Sequence, residues 1–395
     1  MSAPERTAQR RWMGVGRSAA PDSRLAAAAA TRVAITGPDA KLLLAFSAIT
    51  HDPAQIQEGI AEVAPGIPVL GCTTHGEIGP GGPRDGSVIV AAIGGTGFAV
   101  RTAVAQQVSG RQREAGVEVA QRAGGLGDDR PYRVLLLLTD GLLRDQENIL
   151  RGCYSVLGAG VPLFGGAAAD GWRMTGTYLM ADGKVLTDAV VAAMIASEAP
   201  LAVAVRHGWR HVGEPILVTG TANGRVLTLN DRPAMDVYLE RLGAPPQAYT
   251  DAAEFVAFAL ARPIGVQRRS GIGAHNISTE VDIEGRSIGG GNAIDQGAPV
   301  WVMEGDERSI LDAAEAACRE ACAGLGGWPP IGLLTFSCAA LRTILGDEGI
   351  HREVSRLERS TSGTPFAGFY TYGEIARVRG IDGFHNQTMV VLALA

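Results

Sequence analysis

Two octets carry the residue types best suited to chemistry: Gly71-Cys72-Thr73-Thr74-His75-Gly76-Glu77-Ile78 and Gly368-Phe369-Tyr370-Thr371-Tyr372-Gly373-Glu374-Ile375. Both read G-x-x-T-x-G-E-I, and they start 297 residues apart, too far for a solenoid repeat but consistent with an old duplication. Glu77 and Glu374 have the widest reach. Two carboxylates facing one cavity would bind an ammonium group, or would act as general acid and base. The alternative is structural, each glutamate bonding backbone amides at the turn after its strand. Thr73, Thr74, Thr371 and Ser337 add hydroxyls at the same rims, Tyr370 and Tyr372 add amphipathic rings, and Gly76 permits close approach of backbone.

Cys72 and Cys338 stand at predicted strand ends, where a neighbouring histidine would make either a nucleophile and its absence would leave a small packing residue. Asp140 and Asp170 hold matching rim positions in another segment, as ligands or as turn formers. The chain has no H-E-x-x-H or C-x-x-C pattern, and Gly271-Ile272-Gly273 and Gly289-Gly290-Gly291 lack phosphate-loop spacing.

These residues need elements to position them. A strand at Leu42–Ser47, a helix at Asp52–Val63 and a strand from Pro68 into the first octet make a β-α-β unit. Apolar runs at Ser87–Ile93 and Phe98–Ala105 read as a pair of strands turned by Gly94–Gly97. The order returns with a helix at Arg111–Ala123, a strand at Tyr132–Leu138, a helix at Asp145–Leu157 and Val161-Pro162-Leu163-Phe164-Gly165-Gly166, followed by paired runs Ala189–Ile195 and Leu201–Val205. A third instance starts with a strand at Pro299–Met303 and continues through a helix at Arg308–Ala323, a strand at Leu333–Ser337, a helix near His351–Leu357 and the second octet. Between them, Asn223-Gly224 joins two alternating runs as a hairpin.

The pattern predicts an α/β (or α+β) protein of repeated β-α-β units, forming two related domains with mixed sheets covered by helices. Its parts are a disordered tail at 1–13, an N-terminal domain at 14–229 and a C-terminal domain at 230–395. In such sheets ligands favour the carboxyl ends of strands. Met13 opens the first patterned segment and is an alternative start to Met1.

Composition narrows the function classes. With 395 residues, net charge −6 and no basic stripe, the chain has no electrostatic footprint for nucleic acid. Its five cysteines form no disulfide framework, as expected for reduced thiols in the cytoplasm. No apolar run reaches a membrane span, and the arginine-bearing first residues lack the apolar core of a secretory signal.

The segments resemble the FIST family, a bacterial sensory module with N-terminal and C-terminal parts. The first part is carried by the Gly71 octet, Phe164-Gly165-Gly166-Ala167-Ala168-Ala169-Asp170 and His207-Gly208-Trp209 leading to Val218-Thr219. The second is carried by Leu229, Pro233-Ala234 and Tyr238, Ala259-Leu260 with Pro263-Ile264-Gly265, Phe336-Ser337-Cys338, the Gly368 octet and His385-Asn386 with Thr388. The resemblance implies a cytoplasmic sensor without established catalysis, binding an amino acid or related metabolite between the two related parts. It makes Cys72, Thr73, Thr74, Gly76, Glu77, Cys338, Tyr370, Thr371, Tyr372 and Glu374 the candidate ligand contacts. One branch of similar proteins binds haem, senses nitric oxide and acts on a partner histidine kinase; here His75 would be the candidate iron ligand, with His207, His211, His275 and His385 also available. A hydrolase or lyase using Glu77, Glu374 or Cys338 is a further reading. The family's arginine behind Phe-Ser-Cys falls here at Arg342, and His275 stands near the place of another. No kinase, cyclase or receiver segment occurs, so output is expected through a separate protein.

Overall fold

Three stretches of chain follow the same order of strand, helix, strand, helix and then three strands in the first and four in each of the others. The computed structural model describes residues 10–268, 271–277, 280–290, 294–378 and 383–395. The first unit comprises β1 (Trp12–Ser18), α1 (Ser23–Ala34), β2 (Ala40–Ala48), α2 (Pro53–Val63), β3 (Val69–Thr74), β4 (Glu77–Ile78) and β5 (Val88–Gly94). The second comprises β6 (Phe98–Gln106), α3 (Gln112–Gly124), β7 (Tyr132–Thr139), α4 (Gln146–Leu157), β8 (Leu163–Ala167), β9 (Leu179–Ala181) with its hairpin mate β10 (Lys184–Leu186), and β11 (Ala189–Ser197).

The third opens with β12 (Leu201–Arg206) and is interrupted by an insertion. That insertion holds β13 (Arg210–Ala222), β14 (Arg225–Leu229), β15 (Arg232–Pro233), α5 (Ala234–Arg241), α6 (Ala252–Leu260), β16 (Ile264–Arg268), β17 (Gly271–His275), β18 (Glu280–Asp282), β19 (Ser287–Gly289) and β20 (Pro299–Glu304). The unit resumes with α7 (Glu307–Ala323), β21 (Gly332–Cys338), α8 (Ala339–Thr361), β22 (Phe366–Thr371), β23 (Glu374–Arg377), β24 (Phe384–His385) and β25 (Met389–Leu394).

Local chemistry starts the helices. Asp22 accepts from Leu25 N, Asp52 accepts from Ala54 N with Pro53 at the first helical position, and Asp306 with Ser309 forms a capping box. In each unit the central strand (β2, β7 or β21) pairs in parallel with the strand after its helix (β3, β8 or β22) and antiparallel with the unit's last long strand (β5, β11 or β25). The central strands are nearly continuous apolar runs because both faces are covered, one by a helix pair and one by the interior.

Each unit's first strand closes the edge of its own sheet: β1 lies beside β5, β6 beside β11 and β12 beside β25. The short closing strands are exchanged between units in a ring: β4 pairs with β22, β23 with β8, and β9 with β3. The interior is filled by side chains of all three sheets, with Phe336 stacked 4.8 Å from Phe164 and tilted 4.5 Å from Phe369, and Phe46 lying 4.8 Å from Phe369. The α/β fold of mixed sheets and helices is as read from the sequence.

Several expectations are corrected. The runs at Ser87–Ile93 and Phe98–Ala105 do not pair with each other, nor do Ala189–Ile195 and Leu201–Val205; the second member of each crosses to the next sheet. The strand at Pro299 does not open the third unit; it lies in the inserted sheet, and β12 supplies the edge. Residues 10–13 are not a disordered tail: Trp12 and Met13 are buried in β1, Trp12 Nε1 donates to Pro38 O at 2.7 Å, and Arg11 Nε donates to Ala395 O at 2.8 Å. Residues 1–9 of that tail and Gly291 of the glycine patch lie outside the described residues. The inserted sheet has its own core around Tyr238, Phe255, Val300 and Ile264. Its Asn223-Gly224 turn has both residues at positive φ, 52° and 78°, as a primed hairpin requires. The boundary expected near residue 230 falls inside this sheet, between β14 and α5.

Candidate functional site

Gly71, Gly165 and Gly368 lie opposite Ala45, Leu137 and Thr335 on their parallel partners. A Cβ at any of the three would overlap the partner's carbonyl oxygen, so the glycine belongs to the scaffold of all three units. The three strands that follow these glycines bring their carboxyl ends to one rim. There the three ends are cross-linked by backbone: His75 N donates to Tyr370 O, Tyr370 N to Gly76 O, Ala169 N to Thr73 O and Tyr372 N to Ala167 O.

The two glutamates hold this framework from beneath. Glu77 is fully buried; one oxygen accepts from Thr74 Oγ1 at 2.6 Å and the other from Ser87 N at 3.1 Å and Ser87 Oγ at 2.6 Å. Glu374 accepts from Thr388 N at 3.0 Å and Thr388 Oγ1 at 2.9 Å, with the Cys338 thiol against it. Ser87 and Thr388 each immediately precede the antiparallel strand of their unit. In the second unit the residue in that place is Asp188, whose N–H goes to Asp140 Oδ2 at 2.7 Å. Asp140 therefore supplies the carboxylate missing from the second unit's glycine stretch. Burial pushes Glu77 up to about 7, moderated by Ser87 and Thr74, and Glu374 up to about 8, moderated by Thr388. Among the described residues no hydrogen bond or ion pair joins the two.

The remaining sequence candidates are dispersed. Cys72 lies in the central core and Cys338 in the outer layer, and burial drives both thiols well above their ordinary pKa, which leaves them un-ionised and poorly nucleophilic. Thr73 Oγ1 accepts from Tyr178 N, and Thr371 Oγ1 donates to Ala167 O. Tyr370 points beneath α8, where its hydroxyl donates to Glu353 at 2.7 Å. Glu353, also met by Ser337 Oγ at 3.1 Å, is pushed by burial up to about 7.

At the rim itself Tyr372 is stacked on Trp172 with ring centroids 5.0 Å apart at 22°, and His75 lies 5.2 Å from the same indole. Trp172 is 41% exposed and adopts a left-handed φ of 62°, unusual for an aromatic residue. It is held there by Tyr372 Oη, which accepts from Trp172 N at 2.7 Å, by Thr343 Oγ1, which accepts from its Nε1 at 3.1 Å, and by Asp170. Asp170 accepts from Tyr372 Oη at 2.6 Å and from the N–H groups of Met174, Thr175 and Gly176, fixing the loop. Arg342 closes the rim: it donates to His75 O and bidentately to Asp85 at 2.6 Å, with its guanidinium 5.4 Å from the Tyr370 ring centre. Gly76, at φ 111°, makes room for it. Trp172, Asp85 and Thr343 were not singled out from the sequence; the Asp170-Gly171-Trp172 run directly after a glycine-ended strand was the available signal for the first.

His75 does not fit a haem. Trp172 packs beside its ring at 5.2 Å and 57°, and Arg342, Asp85 and Asp170 all act on its charge. Charged neighbours surround it where a porphyrin would need apolar walls. Protein produced with haem supplied is expected to show no Soret absorption, read directly from its visible spectrum. Among the described residues no group of three or more His, Cys, Asp or Glu side chains is placed to hold a metal ion, and no helix is long and apolar enough to cross a membrane.

The profile of the FIST N domain matches residues 41–232 and that of the FIST C domain residues 234–377. An uncharacterized protein of Mycobacterium tuberculosis (strain H37Rv) is 28% identical over 388 residues, covering 95% of this chain and 97% of the relative. An uncharacterized protein of Mycobacterium bovis is 24% identical over 394 residues, covering 95% and 97%. Among solved structures, a cyanuric acid hydrolase from A. caulinodans is similar over 49% of this chain and 72% of its own, at 10% identity and a TM-score of 0.28, which is too slight to carry an argument. The rim draws His75, Asp85, Asp170 and Trp172 from the first matched segment and Arg342, Thr343 and Tyr372 from the second.

Proposed function

The chain belongs to the FIST family of sensory, small-ligand-binding domains, and from that premise we propose that it senses an amino acid or related metabolite at the rim between its two matched segments, without catalysis. The observation that carries this reading is Trp172: a half-exposed indole held in a left-handed conformation by Tyr372, Asp170 and Thr343. Holding a bulky residue at positive φ costs on the order of 1–3 kcal/mol, and such strain concentrates at ligand clamps. An aromatic face beside charged groups suits a small amphiphilic molecule. His75 and Tyr372 would meet the ligand, whereas Glu77, Glu374 and Thr74 hold the loops that carry them.

The strand exchange bears on how a signal would leave. Relative movement of the two halves would break β4 from β22 and β23 from β8, so the response is expected in the loops at 79–86 and 170–178 rather than in a hinge. The output would pass to a separate signalling protein in the cytoplasm, a histidine kinase being one candidate.

Thermal unfolding against a panel of amino acids tests the reading. A ligand at about 100 times its Kd adds about 2.7 kcal/mol, worth roughly 3–5 °C in a chain of this size. Trp172→Ala is expected to abolish that shift. An equal shift in the variant, or none from any amino acid in the unaltered protein, would sink the proposal.

A further inference from the structure

Arg342 is a cation that the rim encloses, and what answers it is unusual. Its side chain is 14% exposed, lies over the Tyr370 ring and touches the His75 carbonyl. Both of its forward donors go to the two oxygens of Asp85 at 2.6 Å, in the fork geometry that guanidinium groups form with carboxylates. Asp85, by contrast, is 69% exposed. It rides on Gly79-Pro80-Gly81-Gly82-Pro83-Arg84-Asp85-Gly86, where Gly81, Gly82 and Gly86 all have positive φ. This loop is tied down by the Glu77–Arg84 bridge, by Gly81 N to Glu358 at 2.8 Å, by Arg17 Nη1 to Gly82 O at 2.7 Å and by His51 Nε2 against Gly86 O at 3.2 Å, whereas the Asp85 side chain is bonded to Arg342.

A half-enclosed arginine thus meets a carboxylate that is free to swing into solvent. The carboxylate side of the pair lies in solvent, so an incoming carboxylate can take the place of Asp85 on the guanidinium fork. The next residue on α8, Thr343, accepts from the Trp172 indole, which sets the arginine and the aromatic plate side by side on one helical turn.

We propose that Asp85 is a built-in stand-in for the ligand's carboxylate: the ligand binds by displacing Asp85 from Arg342, and its apolar part then lies against Trp172. This rests on the rim being the sensory site and names the ligand class as small monocarboxylates, amino acids included. Displacement turns the Asp85 side chain out into solvent, so ligand occupancy is converted into a change of charge placement at the surface. Asp85 is a positioning residue that competes with the ligand, whereas Arg342 touches it.

Calorimetric titration with sodium acetate and with L-alanine, at ionic strength matched by sodium chloride, tests this. Asp85→Ala is expected to bind both about tenfold more tightly than the unaltered protein, the gain that follows when a latch leaving about one-tenth of the molecules open is removed. Methylammonium chloride should show no such gain. Arg342→Gln is expected to bind neither carboxylate, and Arg342→Lys, which keeps the charge without the fork, provides the folded comparison if the glutamine variant fails to fold. Unchanged carboxylate affinity in Asp85→Ala overturns the proposal, as does a gain that persists in the Asp85→Ala, Arg342→Lys double variant, and so does failure of every variant to bind either probe. If the unaltered protein answers amino acids through Trp172 while Asp85→Ala gains nothing, the latch fails and the rim reading stands. If Asp85→Ala gains acetate binding through Arg342 but Trp172→Ala changes nothing, the latch stands and the rim reading fails.

Discussion

Gly368→Ala is expected to destabilise the protein by at least about 3 kcal/mol, and to do so without any contact to the rim. The Cβ of the alanine would lie 1.5 Å from Thr335 O, and β22 would have to move away from β21 along the register that pairs Gly368 with Thr335. No side-chain rotation relieves a clash between backbone and Cβ. The strand also carries β4 on its other edge, so a displacement there propagates into the exchange that closes the ring. Gly160, whose Cβ would meet nothing within 4 Å and whose φ is not positive, is the control: Gly160→Ala should leave stability within about 1 kcal/mol. Urea unfolding of both variants checks this, and a Gly368→Ala midpoint equal to that of the control would show that the strands can part more easily than the register implies.

The same glycines show what the sequence could reveal. Their recurrence in three units was visible because a close strand approach leaves a residue-type signature, and the central strands were visible because burial on both faces leaves an unbroken apolar run. The assignment of strands to sheets left no such mark. Ser87–Ile93 followed by Gly94–Gly97 and Phe98–Ala105 looks like a hairpin, since a short glycine turn between apolar runs is the local signal for one. Whether the second run folds back or crosses to the next sheet depends on partners more than 80 residues away, such as Ala189–Ser197 for β6. The insertion misled in the same manner: β20 directly precedes α7 in sequence, so it was read as the start of the third unit, although that place is held by β12, nearly a hundred residues earlier.

Within the candidate site, the octets drew attention to Glu77 and Glu374 because a carboxylate repeated in matching positions suggests chemistry. In the fold both are fully buried and engaged by the hydroxyl and amide that open the next strand, and the second unit achieves the same end with Asp140 from a different loop. A structural requirement that all three units share can thus be met by two sequence solutions, and only one of them repeats. The rim residues Trp172, Asp85 and Arg342 repeat nowhere, because each unit contributes a different side chain to a place where the three meet.

The buried carboxyls set the second large expectation, a loss of stability as the solution becomes alkaline. Folded Glu77 and Glu353 titrate at about 7 and Glu374 at about 8, in each case because burial disfavours the charged form, against an ordinary value of 4.5. Each therefore binds its proton more tightly folded than unfolded. The stability this contributes is complete below pH 4.5 and is lost as pH rises through 7 and 8. His75 acts in the opposite sense: its pKa is depressed from 6.5 to about 4, so its contribution is complete above 6.5 and lost as pH falls toward 4. The two effects oppose each other at acidic pH, and above 6.5 only the carboxyls act. Each carboxyl still protonated there contributes a slope of up to about 1.4 kcal/mol per pH unit. Glu353 is the one to change, because its partners, Ser337 Oγ and Tyr370 Oη, are hydroxyls that can either donate or accept and can so accommodate an amide. Urea midpoints at pH 6, 7 and 8 should fall for the unaltered protein and fall less steeply for Glu353→Gln, with the largest relative gain for the variant at pH 8. Parallel profiles for the two proteins would mean that Glu353 is already ionised in the fold, and that its two hydroxyl partners suffice to hold a buried charge.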